Sequence, residues 1–285
     1  MTDVISDKIT ANFHTHTLLC DGADTPEEMV EAAIAKGFDT LGFSGHSYTS
    51  YDQCCMSPDN TRKYKAEIAR LKTKYADKIN ILCGIEQDFG SDYSTDDYDY
   101  AIGSVHSLFP ISGPDSADNF YGYDRNQCFC IDWSPDETQR TINELCGGDP
   151  YAMCEYYFRM VSMLPEITGC GIIGHFDLIT KFSDEHPMFD EKHPRYIAAA
   201  LAAVDKLMER NVIFEINTGA MAKGWKSSPY PAPWILKYIA SKGGSVIINS
   251  DCHKAEFLDF GFDEALAMAK SCGVNVLSHP PLKTL

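Results

Sequence analysis

The run Ile9-Thr10-Ala11-Asn12-Phe13-His14-Thr15-His16 passes from a β-rich segment into two histidines, and Asp21-Gly22 follows shortly after. Residues 9–15 read as a strand, in which side chains at i and i+2 share a face. His14 and His16 can therefore reach one ion while Thr15 points away. Imidazole with carboxylate oxygen is a ligand set for divalent first-row metals such as Zn, Mn or Fe. A helix start comes next. Thr25-Pro26-Glu27-Glu28 supplies an N-cap, a proline at the first helical position and an acidic first turn. Apolar residues then recur at Met29, Val30, Ala33 and Ile34, and Gly37 closes the helix.

The same unit repeats along the chain. Strands are predicted at 39–44, 79–85, 100–105, 171–174, 212–216 and 245–249, with a short one at 274–277. Helices are predicted at 61–75, 150–164, 195–210, 233–241 and 262–271. Such alternation implies a parallel sheet, because each parallel strand needs a crossover to return. Seven clear units favour closure into an α/β, distorted (β/α)7 TIM-like barrel, read as a single domain over residues 1–285. Only 107–149 breaks the pattern. It is rich in Pro, Gly, Asp and aromatics, and an insertion of that length reads as a substrate lid.

Metal-competent residues close six of the seven strands. They are His14 and His16 with Asp21, then His46, Glu86, His106, His175, and finally Asp251 with His253. Barrel strands converge at their carboxyl ends on one face, so these scattered positions would meet in one pocket. Asp251 and His253 share a strand face on the same spacing argument, which turns Cys252 elsewhere. Each residue alone has a duller explanation as a polar group beside the core. Recurrence at one end of six strands favours a metal site. His186, His193 and His279 each precede proline and read as solvated surface residues.

Composition narrows the function. The chain carries 24 Lys and Arg against 41 Asp and Glu, a formal charge of −17. That argues against a nucleic-acid grip through a basic surface. A small phosphorylated substrate remains compatible, because bound cations supply local positive charge. No apolar run is long enough to span a membrane. With no signal-peptide pattern, and with eleven irregularly spaced cysteines that read as reduced thiols, a cytoplasmic protein is expected. Metal binding by Cys128 and Cys130 is a minor alternative.

The ordered motifs His-x-His, Asp-Gly, His46, Gly84-Ile85-Glu86, Ser104-Val105-His106, Gly174-His175-Phe176-Asp177-Leu178 and Ser250-Asp251-Cys252-His253 resemble the PHP (polymerase and histidinol phosphatase) superfamily. The resemblance is closest to the stand-alone histidinol-phosphatase branch. It runs through Ile179-Thr180-Lys181-Phe182, Phe214-Glu215-Ile216-Asn217-Thr218, Cys130-Ile131-Asp132-Trp133 and Glu155-Tyr156-Tyr157. It implies three divalent metal ions. His14, His16, Glu86 and Asp251 would hold the first, and Glu86 would bridge to a second on His106 and His175. Asp21, His46 and His253 would hold the third. Glu86, Asp251 and His253 would be the catalytic residues. The family commonly carries Asp where this chain has Gly45, so support for His46 would have to come from elsewhere.

Three divalent ions set against Asp21, Glu86 and Asp251 leave roughly +3, which suits a phosphomonoester dianion. The implied activity is a metal-dependent phosphomonoesterase, with L-histidinol phosphate as substrate. Arg159 and Arg195 are candidate phosphate-binding side chains. Glu215 and Asn217 share a face at the end of the sixth strand, where they could contact substrate or orient a metal ligand. Asp177 is a candidate to support His175. Alternatives are action on another small phosphate ester or nucleotide, and a non-catalytic barrel kept for binding. An amidohydrolase-type enzyme also begins with His-x-His, but it places a modified lysine where this chain has His106. A monomer or small homo-oligomer is expected.

Overall fold

The computed structural model describes residues 7–110 and 127–283. Its strands are β1 (Ala11–Asn12), β2 (Thr40–Phe43), β3 (Asn80–Asp88), β4 (Tyr100–Ser104), β5 (Ser107–Leu108), β6 (Phe129–Cys130), β7 (Ile172–Ile173), β8 (Ile213–Asn217), β9 (Ser245–Asn249) and β10 (Asn275–Val276). The helices are α1 (Pro26–Ala35), α2 (Pro58–Lys74), α3 (Pro135–Glu144), α4 (Pro150–Val161), α5 (Leu164–Thr168), α6 (Pro194–Met208), α7 (Gly219–Ala222), α8 (Pro233–Ser241) and α9 (Phe262–Cys272). One parallel sheet runs β1-β2-β3-β4-β7-β8-β9-β10 and curls into a distorted barrel. The short β10 thus adds an eighth strand to the seven clear units.

Strand alternation sets the vertical plan. Inward positions begin apolar, with Leu82, Tyr100, Ile102, Ile172, Ile213 and Ile247 gathered with Ala11 and Phe13 into a separate inner core. Two or four residues further along the same strands, the same face carries Glu86, Ser104, Glu215 and Asn249. The barrel is therefore plugged with hydrocarbon at one end and lined with ionisable groups at the other. Outward residues such as Leu41, Phe214 and Ile248 join the larger core under the helices.

Tyr100 crosses this interior. Its hydroxyl donates to the carbonyls of Phe13 (2.6 Å) and Phe43 (3.0 Å). A Cβ on Gly84 would stand 2.2 Å from the Tyr100 ring, so glycine is the residue that lets the ring pass.

Closure between the first and ninth strands uses side chains. Phe13 N–H donates to Asn249 Oδ1 (2.8 Å), and Asn12 Nδ2 donates to Ser250 Oγ (2.6 Å) and the Leu258 carbonyl (2.9 Å). Main-chain pairing returns at the rim, where His16 N–H donates to the Cys252 carbonyl (2.9 Å).

The helix signals act locally as written. Thr25 and Glu28 form a reciprocal capping box at α1. α2 begins earlier than the periodicity implied, because Ser57 caps it and Pro58 takes the first position. The segment 107–149 is less irregular than expected. Its described part forms the antiparallel β5–β6 pair and α3, which Ser134 caps ahead of Pro135. Residues 111–126 of the expected lid lie outside the described residues. Among the described residues, no helix is long and apolar enough to cross a membrane.

Candidate metal centre

Nine side chains converge at the carboxyl rim of the sheet. His14 and His16 follow β1, Glu86 lies inside β3, and His106 and His175 sit two residues beyond β4 and β7. Asp251 and His253 follow β9, while His46 pairs its backbone with Glu86 in an isolated parallel bridge. Asp21 reaches in from the loop after β1, with its Oδ2 3.0 Å from His253 Nε2.

The atoms meet as ligands of shared ions would. Glu86 Oε2 lies 3.2 Å from His14 Nε2 and 3.6 Å from His16 Nε2. Asp251 Oδ1 lies 3.6 Å and 3.1 Å from the same two nitrogens. Two atoms each about 2.1 Å from one tetrahedrally bound ion stand about 3.4 Å apart. His14 Nε2, His16 Nε2 and Glu86 Oε2 are also buried and form no hydrogen bond among themselves or with other described groups. Buried polar atoms rarely go unpaired, so this set fits a cation.

Glu86 is the hub. Its Oε1 faces His175 Nε2 (3.0 Å) and His106 Nε2 (3.3 Å), and its Oε2 also faces His46 Nδ1 (2.8 Å). A further group joins His16, Asp21, His46 and His253. The partition implied by the resemblance is therefore blurred at two histidines. His16 turns Nδ1 toward Asp21 (3.5 Å) and Nε2 toward Asp251, and His46 stands between Asp21 and Glu86.

A family model described as PHP domain matches residues 12–219. The chain belongs to the PHP family. It is 24% identical to the histidinol-phosphatase of Bacillus subtilis over 279 residues, covering 89% of this chain and 97% of that one. It is 29% identical to a protein of Deinococcus radiodurans named a probable histidinol-phosphatase, covering 91% and 92% of the two chains. A solved structure from Lactococcus lactis, histidinol phosphate phosphatase complexed with zinc, L-histidinol and phosphate, superposes with a TM-score of 0.67 at 20% identity. That match covers 94% of this chain and 95% of the other.

In this PHP chain, charge balance at the centre is tight. Burial alone would raise the Glu86 carboxyl, but His46, His14 and His106 hold it well below the usual carboxylate range. Burial likewise opposes ionisation of Asp251, and His14 and His16 overcome it. Burial works against protonating His14, yet Glu215, Asp251 and Glu86 raise it well above an ordinary histidine. His16 is instead lowered to about 3, by burial and by its neighbours His253 and His46. Glu86 and Asp251 are thus held in the anionic form by neighbouring imidazoles against the cost of burial.

Outer contacts fix these candidate ligands. Glu215, fully buried, accepts from His14 Nδ1 (2.7 Å) and Asn249 Nδ2 (2.8 Å) on one oxygen. Its other oxygen accepts from the His175 backbone N–H and from Asn217 Nδ2, both at 2.9 Å. Asn217 Nδ2 also reaches Asp251 Oδ2 (3.2 Å). Of the two roles open to Glu215 and Asn217, the contacts are those of orienting groups. Both are fully buried, so neither offers surface to a substrate, and the expectation that they contact one is corrected.

Sequence reasoning missed Asp88, whose Oδ2 pairs with His106 Nδ1 (3.1 Å) while Oδ1 accepts from the Tyr51 hydroxyl (2.6 Å). Its signal was the Glu86-x-Asp88 spacing, hidden because the strand runs past residue 85 to Asp88. It also missed Ser104, which donates to Glu86 Oε1 (2.7 Å).

Several expectations change. Asp251 adopts a left-handed conformation (φ 49°), so a turn rather than an extended strand brings it and His253 together. Cys252 is drawn away by its bridge to Thr15. Asp177 does not support His175, because β7 ends at Ile173 and the backbone turns at His175 (φ 20°). Its Oδ2 instead accepts from Ala232 N–H (2.9 Å), tying a short 3-10 turn to the start of α8. His193 is not merely solvated, since it caps α6 and stacks on Tyr151 at 3.8 Å. Where the family carries Asp, a Cβ on Gly45 would meet Met56 at 3.2 Å and Cys20 at 3.3 Å. Those side chains fill the space, and His46 is held by Glu86 instead.

The cluster forms one wall of a cavity of about 570 Å³. Neither proposed arginine lines it. Arg195 is on the surface, held by Glu155 (2.7 Å) and Asp149 (2.7 Å), and Arg159 is half-buried on α4. The lysines on its wall are Lys181 and Lys223, which sequence reasoning did not single out. Cys128 and Cys130 line the cavity, but among the described residues neither joins a metal-competent group.

Proposed function

We propose that this PHP protein is a metal-dependent phosphomonoesterase whose substrate is L-histidinol phosphate, releasing L-histidinol and inorganic phosphate. The observation that carries the reading is the set of buried His14 Nε2, His16 Nε2 and Glu86 Oε2 atoms, spaced as ligands and without a hydrogen bond among the described residues, behind a cavity that Glu86, His106, His175 and Asp251 line. His14, His16, Glu86 and Asp251 would hold one divalent ion. Glu86, His106 and His175 would hold a second, and Asp21, His46 and His253 a third. Such ions supply Lewis acidity and a water acidic enough to act as nucleophile near neutral pH.

The chain's own residues do the positioning. Glu215 keeps His14 Nδ1 engaged and so leaves Nε2 to face Glu86 and Asp251. Asp88 does the same for His106. Glu86, Asp251 and Asp21 concentrate negative charge at the rim, where it would hold the cations. Asp132, Trp133 and Glu137 bring the described part of the 107–149 insertion onto the cavity wall, where it could meet the organic half of the substrate. Support for the substrate comes from the relatives, including the Lactococcus lactis structure holding zinc, L-histidinol and phosphate.

The test is phosphate release by the Zn-, Mn- or Fe-loaded protein from a panel of histidinol phosphate, sugar phosphates, nucleotides and p-nitrophenyl phosphate. The reading requires the highest kcat/KM for histidinol phosphate. A nucleotide preferred over it would reassign the substrate, and no release from any ester would remove the enzymatic reading.

A further inference from the structure

β8 is the strand whose end offers Glu215 and Asn217 to orient candidate ligands, and the segment just beyond it carries the charge of Lys223. The helical turn α7, which Lys223 ends, packs over Asp251 at Gly219. A Cβ on Gly219 would lie 2.9 Å from Asp251 Cβ and 3.0 Å from its Oδ2, so the bare backbone permits this approach. The turn is anchored by Asn217, whose Oδ1 accepts from Gly219 N–H (2.8 Å) while its Nδ2 reaches Asp251. One asparagine thus fixes both a candidate ligand and the turn that ends in Lys223. Lys223 N–H donates to the Gly219 carbonyl (3.1 Å), which completes the turn.

The two cavity lysines differ in what occupies them. Lys181 Nζ is bound to the Asp132 carbonyl (2.6 Å) and carboxylate (3.3 Å). Lys223 is exposed, lines the cavity, and has no ion-pair or hydrogen-bond partner for its ammonium group among the described residues. Its charge is felt at Asp251, where burial pushes the carboxyl up and Lys223 adds to His14 and His16 in holding it down.

We propose that Lys223 is a phosphoryl-binding residue, its ammonium group contacting an oxygen of the phosphoryl group seated against the metal-ligand cluster. This rests on the phosphomonoesterase reading and replaces the arginines as the side-chain source of positive charge. A flexible ammonium acts as a point charge on phosphate without demanding bidentate geometry. It also sits outside the ligand set, so its removal leaves the metal donors in place.

The experiment compares wild type, Lys223→Met and Lys223→Arg, each metal-loaded. Inorganic phosphate binding is measured by calorimetry, alongside kcat, KM and metal content. Lys223→Met is expected to weaken phosphate binding and raise KM by about tenfold with unchanged metal content, and Lys223→Arg to stay within about threefold of wild type. Unchanged phosphate affinity in Lys223→Met overturns the assignment. So does a loss of metal in parallel with affinity, which would mean that Lys223 acts through Asp251. If wild type binds phosphate but hydrolyses no ester, the enzymatic reading falls and the phosphate isotherms still decide Lys223. Wild type that binds no phosphate overturns the Lys223 assignment, and ester turnover then judges the enzymatic reading separately.

Discussion

Replacing Glu215 by Gln removes no volume and no ligand, yet it should disable the centre. The carboxylate accepts four hydrogen bonds, two on each oxygen. A glutamine keeps one acceptor oxygen, so its NH2 group must face either His14 Nδ1 and Asn249 Nδ2 or the His175 N–H and Asn217 Nδ2. The asparagines cannot freely flip to compensate. Asn217 Oδ1 already accepts from Gly219 N–H, and Asn249 Oδ1 from Phe13 N–H. Two bonds to a charged acceptor are lost, at about 1.5–3 kcal/mol each, so the cost is about 3 kcal/mol or more.

For a chain of this size that corresponds to a fall in Tm of at least about 6 °C. Loss of an outer partner to a ligating histidine further weakens metal binding by about 10- to 100-fold. Glu215→Gln should therefore lose metal on dialysis, measured by inductively coupled plasma mass spectrometry, and regain part of its turnover in excess metal. The Tm is read by calorimetry on metal-free protein, to separate folding from metal loss. A variant with wild-type Tm and full metal content would refute the claim that Glu215 braces the centre.

Glu86→Gln and Asp251→Asn should each abolish turnover and lower metal content while far-ultraviolet circular dichroism stays native, because both residues lie in the cluster and not in the helical core. Wild-type activity with unchanged metal stoichiometry in either would remove that residue from the scheme. Gly84→Ala should destabilise by about 3 kcal/mol through overpacking against Tyr100, read as a lower denaturant midpoint, and an unchanged midpoint would show that the ring can move aside. Burial pushes the Asp177 carboxyl up to about 7, while the Ala232 N–H only partly offsets it. A raised carboxyl favours the folded state below the unfolded value near 4, and this advantage is lost as pH rises through about 7. Relative to Asp177→Asn, wild type should lose on the order of 4 kcal/mol between those limits, measured by urea denaturation of metal-free protein. Parallel pH profiles for the two proteins would contradict that ionisation.

The fold was legible because alternation and caps are local signals. Thr25-Pro26-Glu27-Glu28 needs no distant partner to start α1, and strands buried on both faces announce themselves as apolar runs. The metal-competent residues were legible for a related reason, since a parallel barrel converts the end of each strand into one place. What stayed hidden depends on contacts between distant segments. Glu215 looks the same in sequence whether it meets substrate or braces His14, and only its buried bonds to His14, His175, Asn217 and Asn249 decide between them. Arg195 resembles a phosphate ligand by residue type, but Glu155 lies one turn along a neighbouring helix and takes its guanidinium first. Lys223 carried no motif at all, because its placement follows from a missing Cβ at Gly219 and an amide on Asn217. Side chains that bind an ion must match its chemistry and therefore leave a trace in residue type. Side chains that aim those ligands, or greet a phosphate from across the cavity, need only be in the right place.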